Sequence, residues 1–156
     1  MQPKIYKEYF YILSEYLENN KSIKIVQKPG TEDAWYPALN IIHVNQNLQY
    51  RERLFTLLHE AGHALIDNEI RHKDILCFNK NTPHSIRSKK NYVHVLNEEI
   101  LAWNYGKQLA KSLDFKIDYF RFDEYMSDCI MSYVRSGLKS IYGKQINTDI
   151  IWTQYV

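Results

Sequence analysis

Residues 59–63 read His59, Glu60, Ala61, Gly62 and His63, an H-E-x-x-H pattern inside an otherwise apolar run from Phe55 to Ile66. No proline interrupts the run, and it predicts a helix. Side chains four apart on a helix share a face, so both imidazoles can reach one metal ion. Glu60 stands one residue round, where its carboxylate can meet a water at the metal without itself being a ligand. Two neutral nitrogen ligands beside a base are the minimum kit for zinc-assisted hydrolysis. Gly62 costs roughly 1 kcal/mol against Ala in a helix interior, which makes sense if another backbone or a substrate passes close to that face. The competing reading is a plain core helix with hydrogen-bonded histidines. It requires burying two imidazoles beside a carboxylate with no cation, which is costly.

The rest of the composition limits the alternatives. The chain has 156 residues, 45% hydrophobic and 14% aromatic, enough for one folded domain spanning 1–156 with a sizeable core. A net charge of +2 does not call for nucleic acid or membrane as partner. The first residues carry charges of both signs without an apolar core, so no signal peptide is read there, and no stretch is long enough for a membrane span. Cys77 and Cys129 make no disulfide framework. The expected setting is cytoplasmic. The thirteen tyrosines suit half-buried surfaces and grooves.

Periodicity gives an α+β outline: a short mixed or antiparallel sheet packed on about four helices, one carrying the H-E-x-x-H. The spacing of Ile5, Tyr9, Ile12, Leu13, Tyr16 and Leu17 predicts a helix over 4–19. Residues 22–28 alternate as a strand, Pro29 and Gly30 mark a turn, and 34–45 is extended, broken near Pro37, with the strand proper at 39–45. A helix over about 50–67 follows, with Leu54, Leu57, Leu58, Ala61 and Leu65 as its apolar stripe. Residues 68–97 are polar, with six Lys or Arg against two acids, and read as a long loop with a short strand at 92–95. Its charge could contact nucleic acid; a solvated lid is the preferred reading. Asn97 can cap a third helix over 97–113, with Glu98 and Glu99 in its first turn. A fourth helix over 122–141 has Phe122, Tyr125, Met126, Cys129, Ile130, Tyr133, Val134, Leu138 and Ile141 as a core stripe. The tail, 144–156, is weakly patterned.

Catalytic zinc takes a third protein ligand and leaves a position open. The metzincin continuation fails, because Ile66 and Glu69 stand where a glycine and a histidine would be required. His72, His84 and His94 are available but lie in the polar segment without a motif. A glutamate from the next helix is the third scheme. There Glu99 is preferred to Glu98, because Ala102 lies one turn on, where its small side chain would let that helix press against the first.

The residues 56–65, followed by Glu99, Ala102, Tyr105 and Gly106 in an E-x-x-A-x-x-[Tyr]-G pattern, resemble the ImmA/IrrE-type metallopeptidases of bacteria, phages and mobile elements. The likeness covers roughly residues 20–113. It implies a small zincin-like domain with one Zn2+ per chain, His59, His63 and Glu99 as ligands, Glu60 as catalytic base, and a DNA-binding repressor as substrate. The sequence departs from the family in carrying Trp103 where Asn is usual, and in its exit from the third helix at 109–113.

The expected activity is therefore zinc-dependent hydrolysis of a peptide bond in a specific protein. Asp67, His94 and Tyr105 are candidates for supporting the ligands or donating to the transition state, with His72 and His84 further candidate donors. A peptide substrate could add as a strand to the 39–45 edge. The alternative is a catalytically silent domain that uses the site to sequester a regulator. A deformylase is disfavoured, since both cysteines follow the H-E-x-x-H.

Overall fold

The computed structural model describes residues 3–73 and 89–142. Its elements are α1 (Pro3–Lys21), β1 (Lys24–Lys28), β2 (Ala34–Tyr36), β3 (Ile41–Asn45), α2 (Tyr50–Lys73), α3 (Lys89–Ser112) and α4 (Tyr119–Tyr142). This is an α+β fold in which four helices accompany a small mixed sheet. The strand order is β1-β3-β2, with β1 parallel and β2 antiparallel to β3. β3 is thus the central strand. The 39–45 segment offers no edge, and the sheet's edges are β1 and β2. No helix among the described residues is long and apolar enough to cross a membrane.

α2 is the centre of the molecule. Residues 54–62 are buried without a break, so the helix is covered on all sides rather than on one stripe. Ile42 and Val44 of β3 are fully buried, as are Phe10, Leu13 and Leu17 of α1. The α1 core face is turned slightly from the one read in the sequence: Tyr6 and Phe10 lie inward and Ile12 is exposed. The start of α2 is fixed by Glu52, whose carboxylate accepts from the Gln49 N–H at 3.2 Å. That is half of a capping box, and it places the helix start just after Gln49.

Three expectations about the later chain are corrected. Residues 92–95 are helical, not a strand. Asn97 lies inside α3 and caps nothing, so Glu98 and Glu99 are not first-turn residues. The polar segment read as a loop over 68–97 is helical at both ends; residues 74–88, with Cys77 and His84, lie outside the described residues, as does the tail 143–156. The reason for the long α3 is a stripe that continues through Asn97: Tyr92, Val95, Leu96, Glu99, Ala102, Trp103 and Gly106 recur at three and four and are all at least partly buried. Asn97 falls on the exposed side of that stripe. Tyr92 anchors the new turn by passing over Gly137 of α4, where a Cβ would stand 1.7 Å from its ring. At the start of α4, Asp118 accepts from the Arg121 N–H at 3.2 Å, an N-cap four residues before the apolar stripe begins at Phe122.

Candidate metal centre

The site begins with how closely α2 and α3 cross. A Cβ on Gly62 would lie 2.0 Å from the carbonyl oxygen of Ala102, and one on Gly106 would lie 2.3 Å from that of Leu58. Each helix therefore presents a glycine to the other's backbone, and no side chain fits between them. The crossing brings Glu99, three residues before Ala102, up to the histidine face of α2.

There the atoms converge. His59 Nε2 and His63 Nε2 are 3.3 Å apart. Glu99 Oε2 is 3.2 Å from His59 Nε2, and its Oε1 is 3.5 Å from His63 Nε2. Tetrahedral zinc with bonds of roughly 2.0–2.2 Å places its ligand atoms about 3.3–3.6 Å apart; here each imidazole lies close to a different oxygen of Glu99, and one ligand atom from each residue falls within 4.8 Å of the others, close enough to gather on one ion. Among the described residues, His59, His63 and Glu99 are the group that could hold a metal. Glu98, on the neighbouring position of α3, is not in it. The polar bookkeeping agrees. Glu99 Oε2 is buried and, despite its closeness to His59, receives no well-aimed hydrogen bond. A buried acceptor left in that state is costly, and a cation between it and the imidazoles would satisfy it.

The electrostatics follow from burial and mutual contact. Burial pushes the His59 imidazole below its usual pKa, favouring the neutral form a ligand needs. Its ring stacks on Trp103 with centroids 4.3 Å apart, which gives the residue that departs from the family pattern a clear place: it backs the first histidine. Burial also opposes charge on His63, but Glu99 and Glu60 together outweigh it and raise that pKa. Burial pushes the Glu99 carboxyl up, yet the two imidazoles pull it further down, to about 2. Glu60 differs. Burial lifts its carboxyl from 4.5 to about 7, with His63 and the backbone N–H of Trp35 pulling the other way and Glu99 adding to the rise. Its Oε1 lies 3.8 Å from His59 Nε2, beside the cluster and outside it.

Of the remaining sequence candidates, Asp67 accepts from the indole Nε1–H of Trp35 at 2.8 Å and supports β2. His94 is exposed on α3. Tyr105 stands six residues past Glu99, about 9 Å along the helix axis at 1.5 Å per residue. The side chain of His72, like His84, lies outside the described residues. Two residues near the site were not picked out from sequence. Trp35 on β2 turns its backbone N–H towards Glu60 and works against the rise in that carboxyl's pKa. Tyr133, read as part of the α4 core stripe, is 37% exposed, and its phenol interacts electrostatically with Glu99 and Glu60. Burial and those two carboxylates hold the phenol well above its usual pKa, so it keeps its proton. No local motif marks either residue, since both reach the site only through the packing of β2 and α4 against α2 and α3. Cys129, one turn before Tyr133, is also lifted, to about 11, chiefly by burial, and at neutral pH it is an inert thiol.

A helix with H-E-x-x-H, crossed by a second helix that supplies a glutamate, on a small mixed sheet, defines a metallopeptidase-type site of the gluzincin kind. The chain belongs to the IrrE N-terminal-like domain family of peptidases (Peptidase_M78), whose profile matches residues 21–106. That stretch runs from the sheet through both helices of the crossing, while α4 and Tyr133 fall beyond it. Searches among curated proteins and among solved structures gave no match.

Proposed function

We propose that the protein is a zinc-dependent endopeptidase acting on a specific protein substrate. The observation that carries this reading is the convergence of His59, His63 and Glu99, with all three ligand atoms within 4.8 Å of one another, next to the buried carboxylate of Glu60. Two imidazoles and a carboxylate suit zinc, one ion per chain. When bound, the ion would supply Lewis acidity and make its water a ready nucleophile near neutral pH.

The side chains divide the remaining work. Glu60, buried beside the ligands and outside their set, takes a proton from the attacking water and returns it to the leaving amine. Negative charge that develops on the scissile carbonyl oxygen needs a donor, and Tyr133 carries a protonated hydroxyl that interacts with Glu99 and Glu60. Tyr133 beside Glu99 therefore takes the donor role. A peptide would add as a strand along β2, the sheet edge that touches Glu60, and not along the central β3. Through its likeness to the ImmA/IrrE-type peptidases, the substrate proposed is a DNA-binding repressor.

The test is direct. Zinc-loaded protein is incubated with fluorescein-labelled casein as an unstructured probe, beside Glu60→Gln. The wild-type protein releases label and the variant, with equal zinc, loses at least ~10²-fold in rate, the lower range for a general base. Cleavage at full rate by Glu60→Gln would remove the mechanism. No cleavage by the wild type, with zinc bound, would favour a domain that sequesters its partner.

A further inference from the structure

Only one end of the His59 ring is held by the ligand cluster. Its Nε2 faces that cluster, 3.2 Å from Glu99 Oε2 and 3.3 Å from His63 Nε2. Its Nδ1, at the other end, is buried and finds no hydrogen-bond partner among the described residues. A metal-ligating imidazole ordinarily gives that second N–H to a carboxylate or a carbonyl, which orients the ring and selects the ligating nitrogen. Here an aromatic ring stands in for the acceptor. The indole of Trp103 lies against the face of the imidazole, with centroids 4.3 Å apart and planes 23° from parallel. We propose that Trp103 is a positioning residue for His59: its stacked indole, in place of a hydrogen bond, keeps Nε2 turned towards the metal position.

The support is itself firmly held. Trp103 is 2% exposed and meets the rings of Phe122 and Tyr125 on α4 edge-on, with centroids at 5.5 Å and 5.9 Å. A side chain so enclosed cannot leave its rotamer without opening a close-packed core. The imidazole also meets the His63 ring, 4.6 Å away and 77° from parallel. A flip about its Cβ–Cγ bond, which would exchange Nδ1 for Nε2, has to drive one edge of the ring into the indole. Trp103 lies four residues after Glu99, so one face of α3 carries both the third ligand and the support of the first. An imidazole that shares its lone pair with a cation is electron-poor, and the electron-rich face of an indole suits it better than an aliphatic side chain does. The stacking therefore favours the ring in its ligating state.

The proposal rests on the metal site of the peptidase reading, and its test reads metal binding, not turnover. The full chain, stripped of metal, is titrated with Zn2+ against a coloured chelator as wild type, Trp103→Phe, Trp103→Leu and Trp103→Met. All three variants remove volume from the core; only leucine and methionine remove the aromatic face. Trp103→Phe should bind zinc within about threefold of wild type, and the two aliphatic variants should bind at least ~10-fold more weakly, the loss typical of an outer support. Methionine adapts to irregular gaps, so it keeps the comparison open if the leucine variant fails to fold. Loading with Co2+ gives a second readout, because its visible bands report ligand geometry. The Trp103→Phe spectrum should overlay that of wild type, and the aliphatic variants should shift in position or intensity. Wild-type zinc affinity in the aliphatic variants, equal losses in all three, or an unmoved cobalt spectrum would overturn the proposal while leaving the peptidase reading intact. A wild-type chain that binds no zinc would end both.

Discussion

Glu60 bears the heaviest desolvation in the site, and that has a consequence in the metal-free protein. Its folded pKa of about 7 stands above the ordinary 4.5. Between those values the folded state holds a proton that the unfolded state has released, so stability falls as pH rises through the window and the loss is complete above about 7. A shift of that size corresponds to about 3 kcal/mol. Metal-stripped Glu60→Gln lacks the titrating group, so its stability relative to wild type should be clearly higher at pH 8 than at pH 5 by urea unfolding. An equal difference at both values would mean that burial does not perturb this carboxyl. The same substitution should leave zinc in place, since Glu60 is outside the ligand set. Tyr133→Phe should lower kcat about 10²-fold by removing the donor while zinc content and fold are kept; unchanged turnover would return the role to another group.

At the scale of elements, the contact that makes the site is the crossing of α2 and α3, where Gly62 meets Ala102 and Gly106 meets Leu58. Adding a methyl group there pushes two backbones apart. Gly62→Ala should therefore cost about 3 kcal/mol, at the upper end for overpacking, despite alanine's better helix propensity. It should also weaken zinc binding by moving Glu99. A gain in stability on urea unfolding would show that the helices do not touch as described. This crossing was legible in the chain: Gly62 inside a helical run and Ala102 one turn from Glu99 both pointed to a close approach, and the apolar stripe of α2 was readable from its period. The beginning of α3 was not. Asn97 followed by two acids imitates a helix start, and the valines at 93 and 95 imitate a strand. What overrides both is tertiary: Tyr92 packs over Gly137 of α4, and a local signal cannot report a contact forty-five residues away. The central place of β3 was hidden for the same reason, because strand order depends on which partner each strand finds. Trp35 and Tyr133 were missed as site residues because each comes from an element with no motif of its own.

For the whole molecule, the ligand set joins two helices that also form the core, so metal and fold are coupled. Free zinc at about 100 times its Kd should stabilise the protein by about 2.7 kcal/mol if only the folded state binds. A melting temperature that rises with added zinc and falls again with a chelator would show this. The same architecture accounts for the placement of the base: β2 brings Trp35 to Glu60, α1 and the sheet bury α2, and α4 closes the other side with Tyr133. Each of these roles assumes a cation between His59, His63 and Glu99. That assumption is tested most directly by elemental analysis of purified wild type, Glu99→Ala and Glu98→Ala after dialysis against limiting zinc. The account predicts one zinc per chain in wild type and Glu98→Ala, and an affinity at least ~10-fold weaker in Glu99→Ala. Full zinc in Glu99→Ala, or its loss in Glu98→Ala, would contradict it.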